Sequence, residues 1–221
     1  MCNLYRMTKN KDEVGRWFNA IDALGGANFA SEVYPGHPGV VVAGGAVKTM
    51  TWGFPLVMKG KNGQPLKPKP VNNARQDKLE SFFWRASFQE RRCLIPMSAW
   101  AEAQGPKGAK TRTWMSRPDA ELFAVAGVWR KSDEFGRCYS MVMTDSAGSA
   151  SADVHSRMPV LLRPQDYEGW LAGSAQEAKT LCVAWAGDLT IDHTEDSWAR
   201  AEPRRKTGQS PSQEPSQPSL L

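Results

Sequence analysis

Hydrophobic positions along the chain follow two rhythms. In "TKNKDEVGRWFNAI", Val14, Trp17, Phe18 and Ile21 recur at helical spacing and predict an amphipathic helix. "QDKLESFFWRASFQERR", with Leu79, Phe82, Phe83, Ala86 and Phe88, predicts a second. Elsewhere the apolar runs are short, rich in β-branched and aromatic residues, and bounded by Gly, Pro and Ser. "GVVVAGGAV", loosened by its glycines, "TMTWGF", "CLIPMSAWAEA", "TRTWM", "LFAVAGVWR", "CYSMVMT" and "LCVAW" read as strands in this way. "SAGSASADV" reads as a loop with a short helix, "HSRMPVLL" runs into a strand, and "RPQDYEGWL" is a short helix. "KGKNGQPLKPKP" is a basic loop. Many short strands with few helices predict an α+β fold. The expectation is a single domain over residues 1–200, built of curled, mainly antiparallel, barrel-like sheets with flanking helices. Ser, Pro and Gln dominate residues 201–221, which read as a disordered tail.

Composition sharpens this only a little. A chain of 221 residues with 41% hydrophobic and 23% charged residues is an ordinary globular protein with room for a real core. Lys+Arg 28 against Asp+Glu 23 gives a net charge of +5, which permits a polyanionic partner without demanding one. No apolar run approaches a membrane span, and the amino-terminal stretch lacks the apolar core of a secretory signal. The expected setting is therefore cytoplasmic (nucleoid-associated in a bacterium), with no membrane contact. The four cysteines are far apart and form no Cys-x-x-Cys or Cys/His cluster, so no metal, cofactor or disulfide is expected. Cys93, Cys138 and Cys182 lie in apolar runs and read as small core hydrophobes.

Cys2 is different. Initiator methionine is usually trimmed before a small residue, which would leave Cys2 at the amino terminus with an amine and a thiol on neighbouring carbons. Both groups can attack one carbon. Their reference pKa values, about 7.7–8.0 and about 8.5, leave a useful fraction of each deprotonated near neutral pH.

Further motifs lie along the chain: "MTWGFP", Asn73-Ala74-Arg75, Arg91-Arg92-Cys93-Leu94 with Pro96 and Glu102, and His155-Ser156-Arg157-Met158-Pro159. With Cys2, and in this order, they resemble the SOS response-associated peptidase (SRAP) family over nearly the whole chain except the tail. The resemblance implies covalent capture of abasic sites in single-stranded DNA, acting as a monomer. It also implies the self-processing peptidase activity for which the family is named, and lyase activity at the abasic site. Cys2 would be the nucleophile. Asn73, Glu102 and His155 would line the site, Arg75 and Arg157 would hold phosphates, and Trp52 and Arg6 are candidates for the DNA-facing surface. The chain departs from the family after the cysteine, where Asn3-Leu4 replaces the common Gly-Arg, and around the glutamate, where "MSAWAEA" lacks the usual flanking aromatic.

The residues themselves support compatible chemistry. An opened abasic sugar is an aldehyde, which an amine converts to an imine and a neighbouring thiol then closes into a thiazolidine. Opening the sugar and expelling water need proton transfer, which a carboxyl and an imidazole supply. If their segments are extended, Asn73 and Arg75 share a face, as do His155 and Arg157, so each pair sets a chemical group beside a phosphate-binding guanidinium. Blander readings stand beside these: a solvated Glu102, a capping His155 like His37 and His193, ordinary surface arginines, core Trp52 and Trp100, and a solvated loop from Lys59 to Lys69. Two other functions also stay open. One is a cysteine autopeptidase or N-terminal-nucleophile hydrolase acting on peptides. The other is a non-catalytic single-stranded DNA-binding module.

Overall fold

The computed structural model describes residues 2–22 and 30–198. The anticipated tail, residues 201–221, lies outside them. The first elements are β1 (Leu4–Arg6), α1 (Lys11–Trp17), β2 (Ile21–Asp22) and β3 (Glu32–Val33). Next comes a hairpin of β4 (Pro38–Ala43) and β5 (Ala46–Trp52). It turns on Gly44 and Gly45, at φ 57° and 68°, the left-handed backbone that a two-residue hairpin turn requires. The two glycines therefore mark a turn between strands and not a loose place within one. β6 (Phe54–Leu56) and β7 (Lys69–Val71) pair across the basic loop, and β8 (Asn73–Arg75) follows directly. The rest is α2 (Arg85–Glu90), β9 (Arg92–Met97), β10 (Ala99–Gln104), β11 (Thr111–Ser116), β12 (Phe123–Ser132), β13 (Gly136–Asp145), β14 (Arg157–Pro159), β15 (Leu161–Leu162), α3 (Tyr167–Leu171), α4 (Ala175–Thr180) and β16 (Thr190–Ser197).

One sheet runs β14-β13-β12-β9-β4-β5-β2, and β5 also pairs in parallel with β13. That extra pairing joins β13, β12, β9, β4 and β5 into a closed, five-stranded barrel, which leaves those strands without free edges. A second sheet, β16-β11-β10-β1-β3, packs beside it. The fold is thus mixed, mostly strands, with a barrel-like sheet and few helices, as the sequence predicts. Large side chains fill it: Trp52, Trp100, Trp170, Tyr5, Tyr139 and Phe123 are all buried. The Tyr5 and Tyr139 hydroxyls meet in a hydrogen bond across β4. A Cβ on Gly39 would collide with both, so only glycine fits there. Cys93, Cys138 and Cys182 are buried and all four described cysteines are free thiols. Among the described residues, no helix is long and apolar enough to cross a membrane.

Three local expectations fail, each for a reason. The second predicted helix shrinks to Arg85–Glu90, preceded by a 3-10 turn at Gln76–Lys78. Its aromatics serve tertiary stacking instead: Phe83 and Trp84 cluster with Phe54 under the Arg130 guanidinium, and Phe82 is left 95% exposed. "LCVAW" is irregular rather than a strand, because Trp185 turns in beneath Arg117 and Arg163 while Val183 is exposed. The strand of this region is β16, a polar edge strand whose exposed face shows no apolar alternation to read. Of the apolar face anticipated for the first helix, Val14 alone is fully buried; α1 ends at exposed Trp17, and Ile21, also exposed, begins β2.

Candidate active site

Cys2 lies two residues before the start of β1, and β1 pairs antiparallel with β10, setting Leu4 opposite Ala101. This register lays the amino-terminal residue beside Glu102. Cys2 is fully buried, and its Sγ lies 3.5 Å from the Leu4 carbonyl oxygen, to which the thiol donates. Burial raises its thiol well above the ordinary range, and the neighbouring Glu102 charge raises it further. Its carbonyl oxygen accepts two side-chain amides: Nδ2 of Asn72 at 2.8 Å and Nδ2 of Asn73 at 2.7 Å. Asn73 Oδ1 is buried without a hydrogen-bond partner among the described residues. A buried acceptor left open in this way is costly unless a ligand completes it.

Glu102, on β10, is 3% exposed, and burial pushes its carboxyl up to about 7. Near neutral pH it is therefore present in both protonation states, the condition for a group that must give and take a proton.

β13 connects the remaining residues. β8 pairs with it in parallel, setting Asn73 opposite Met141 and Arg75 opposite Met143. β14 pairs antiparallel farther along, setting Arg157 opposite Asp145. Residues two apart on a strand, and partners across a ladder, share a face. Asn73, Arg75 and Arg157 accordingly lie on one face of the sheet. His155, just before β14, is half-buried. Its Nδ1 meets both backbone polar groups of Arg157, lying 3.0 Å from the N–H and 3.2 Å from the carbonyl oxygen, which orients the ring. Burial, with nearby positive charge including Arg157, lowers its pKa. Ser146 Oγ donates to the His155 carbonyl at 2.6 Å and fixes the segment.

Arg75 is exposed and grips Asp77 through two hydrogen bonds, at 2.8 and 2.7 Å. An exposed pair of this kind is worth little, so a phosphate can displace Asp77. Beside Asn73 and Arg75 opens a groove of about 310 Å³, lined also by Leu56, Val71, Phe83 and Trp84.

The two candidates for a DNA-facing surface fare differently from the others. Trp52 does not face solvent: it is 0% exposed, stands edge-on to Tyr5 and donates Nε1–H to the Asn72 carbonyl at 3.0 Å. The "WG" pair thus supports the site from beneath. Arg6 pairs with Glu32 at 3.1 Å and lies 3.7 Å over the Trp114 ring, which ties it into the second sheet. Trp100 is core, and Lys59, Lys61, Lys67 and Lys69 are exposed. His37 directly precedes β4, and His193 lies on β16 with Nδ1 3.2 Å from Thr113 Oγ1. Sequence reasoning passed over Asn72. Its only signal was the doubled asparagine of "NNAR".

Residues 1–195, which include every element of this cluster, match the family described as SOS response associated peptidase (SRAP). The chain belongs to the SRAP family. It is 29% identical over 133 residues to an abasic site processing protein of Saccharomyces cerevisiae, covering 57% of this chain and 35% of that protein. It is 26% identical over 127 residues to the abasic site processing protein YoqW of Bacillus subtilis, covering 55% of each. The chain thus matches about a third of the yeast relative's length and about half of the Bacillus one's. A crystal structure of a Bordetella bronchiseptica protein superposes with TM-score 0.73 at 22% identity, covering 87% of this chain and 99% of that one. A Bacteroides thetaiotaomicron protein does so with TM-score 0.69 at 17% identity, over 86% and 91%. At these identities the structural likeness speaks for the fold alone.

Proposed function

We propose that this protein captures abasic sites in single-stranded DNA by forming a thiazolidine crosslink at Cys2 once Met1 has been removed. The observation that carries the reading is the environment of Cys2. Its carbonyl is held by two asparagine amides, and its thiol lies beside a buried carboxyl that titrates near 7. The names of the yeast and Bacillus relatives support the same substrate.

The chemistry proceeds on C1′ of the opened sugar, an aldehyde. The Cys2 amine adds to that carbon, water leaves, and an imine results. The thiol then adds across the C=N bond, its proton passes to nitrogen, and a five-membered ring closes. The net change is aldehyde plus Cys2 giving thiazolidine plus water. Protonated Glu102 donates to the departing oxygen, and its carboxylate removes the proton from the thiol, which burial otherwise holds in its neutral form. Asn73 Oδ1, open and buried, accepts from a sugar hydroxyl. Arg75 and Arg157, on one sheet face, bind the flanking phosphates. His155, its pKa lowered by burial and nearby positive charge so that the neutral ring is favoured, serves the proton transfers of strand cleavage and adduct release. The partner is one strand carrying an abasic site, bound by one copy of the chain.

Incubation with an abasic single-stranded oligonucleotide, followed by a denaturing gel, tests this. A heat-stable shifted band supports the proposal. Retention that is lost on denaturation points to a binding module, and peptide turnover without a band points to a cysteine autopeptidase; either result sinks it.

A further inference from the structure

Removal of Met1 sets Cys2 a mechanical problem. A terminal residue frays unless it is tied down, and here it must present both its amine and its Cβ–Sγ arm to one carbon. Both groups hang from Cα. Their direction follows from the peptide plane of the Cys2–Asn3 bond, the torsion about Cα–C and, for Sγ, the side-chain torsion, so whatever fixes the Cys2 carbonyl removes the largest freedom and leaves only these local rotations to aim the reactive pair.

Two amides reach that carbonyl. Asn73 uses one N–H on that carbonyl, and its Oδ1 is buried without a hydrogen-bond partner among the described residues. Asn72 is placed differently. One Nδ2 hydrogen goes to the Cys2 carbonyl at 2.8 Å and the other to Asn3 Oδ1 at 3.0 Å. Its own backbone carbonyl accepts from buried Trp52 Nε1 at 3.0 Å and from Met141 N at 2.9 Å, so the residue is anchored to the barrel wall. With both amide hydrogens spent on residues 2 and 3, Asn72 has no donor left for substrate. It stands as a bracket between the barrel and the amino terminus.

Resting on the reading of Cys2 as the crosslinking residue, we propose that Asn72 is a positioning residue. It clamps the Cys2 carbonyl and the Asn3 side chain so that the amine and thiol are aimed before the aldehyde arrives, leaving Asn73 free to bind the sugar. The replacement of the common Gly-Arg by Asn3-Leu4 fits this arrangement: Asn3 supplies the second tether, and buried Leu4 packs with Ala99, Ala101 and Trp114. The expected effect is on rate and not on DNA affinity, because Asn72 contacts only protein and small errors of alignment are costly in rate.

The experiment is single-turnover crosslinking over a range of abasic-strand concentrations, which separates the maximal rate from half-saturation. The variants are Asn72→Ala and Asn72→Asp; the latter keeps the shape and removes both donors. The expected result is a maximal rate lowered about tenfold or more with half-saturation unchanged. A maximal rate equal to wild type, or a loss confined to half-saturation, overturns the proposal. Should neither variant fold, Asn3→Ala, at an exposed position, decides: a severalfold loss in maximal rate is expected and no loss overturns it. A parallel reaction with 2-deoxyribose, followed by intact mass, involves no DNA and must show the same ranking. A wild type that reacts with 2-deoxyribose but never with the DNA strand would sink the proposed function while still testing the clamp.

Discussion

Replacing Glu102 with Gln removes the buried carboxyl beside Cys2 while keeping its shape. That carboxyl is raised from an ordinary 4.5 to about 7, chiefly by burial. The difference, about 2.5 units, is worth about 3 kcal/mol at 1.36 kcal/mol per unit, and at 3% exposure little of this is screened by solvent. The sign follows from linkage. With the folded pKa above the unfolded one, the folded state binds the extra proton between pH 4.5 and 7. The group's stabilising contribution is present below 4.5 and is lost as pH rises to 7. Wild type should therefore lose about 3 kcal/mol relative to Glu102→Gln between pH 4.5 and pH 7.5, and none beyond. The assay is denaturant unfolding of both proteins at several pH values, compared as differences so that other titrations cancel. The same substitution should slow crosslinking by about 10²–10⁴, the usual worth of general acid–base help. A more stable but slower protein at pH 7.5 is the expected signature. Parallel stability profiles, or an unchanged crosslinking rate, would refute the assignment.

Arg75→Ala and Arg157→Ala should each weaken binding to single strands regardless of sequence and lower the slope of log affinity against log salt by about 0.7, the share of one phosphate contact. Asp77→Ala, which frees Arg75 from its ion pair, should do the reverse; equal salt slopes in all three variants would return these residues to the class of surface charges. His155→Ala should still form crosslink, more slowly, and should be more defective in strand cleavage and adduct release. Because its pKa is lowered, wild type should keep those steps through the ordinary imidazole range and lose them only as more acidic pH protonates the ring, which the variant should not do; matching time courses across about pH 6 to 8 would exclude a proton-carrying role.

The architecture was legible where burial made the pattern strong. "CLIPM", "LFAVAGVWR" and "CYSMVMT" are barrel strands buried on both faces, and continuous apolar runs announce such strands. Barrel closure was not legible as a pairing, since the parallel contact of β5 with β13 joins Thr51 and Trp52 to Cys138 and Tyr139, far apart in the chain. β16 escaped notice because a polar edge strand resembles a loop. The candidate residues were legible through residue types at motif spacing, and the fold brings Cys2, Asn73 and Glu102 together, because β1 pairs with β10 and the asparagine amides reach the Cys2 carbonyl. Trp52 reads as a candidate surface residue because an aromatic in a motif does not reveal which way its strand faces. Here it points into the barrel. The partners of Arg6 and Arg75 were also hidden, since Glu32 and Asp77 are ordinary acidic residues until the fold brings them close.

The central claim is that Cys2 closes a thiazolidine on the abasic aldehyde, and one comparison tests it most directly. Wild type and Cys2→Ala, each shown by intact mass to have lost Met1 and to carry a free amine at the second position, are incubated with an abasic single strand, with and without borohydride, and resolved under denaturing conditions. Wild type should give a heat-stable adduct without reductant, with the mass of protein plus strand less one water. Cys2→Ala should give none unless borohydride traps the imine. Heat-stable adduct in full yield from Cys2→Ala without reductant would contradict the account.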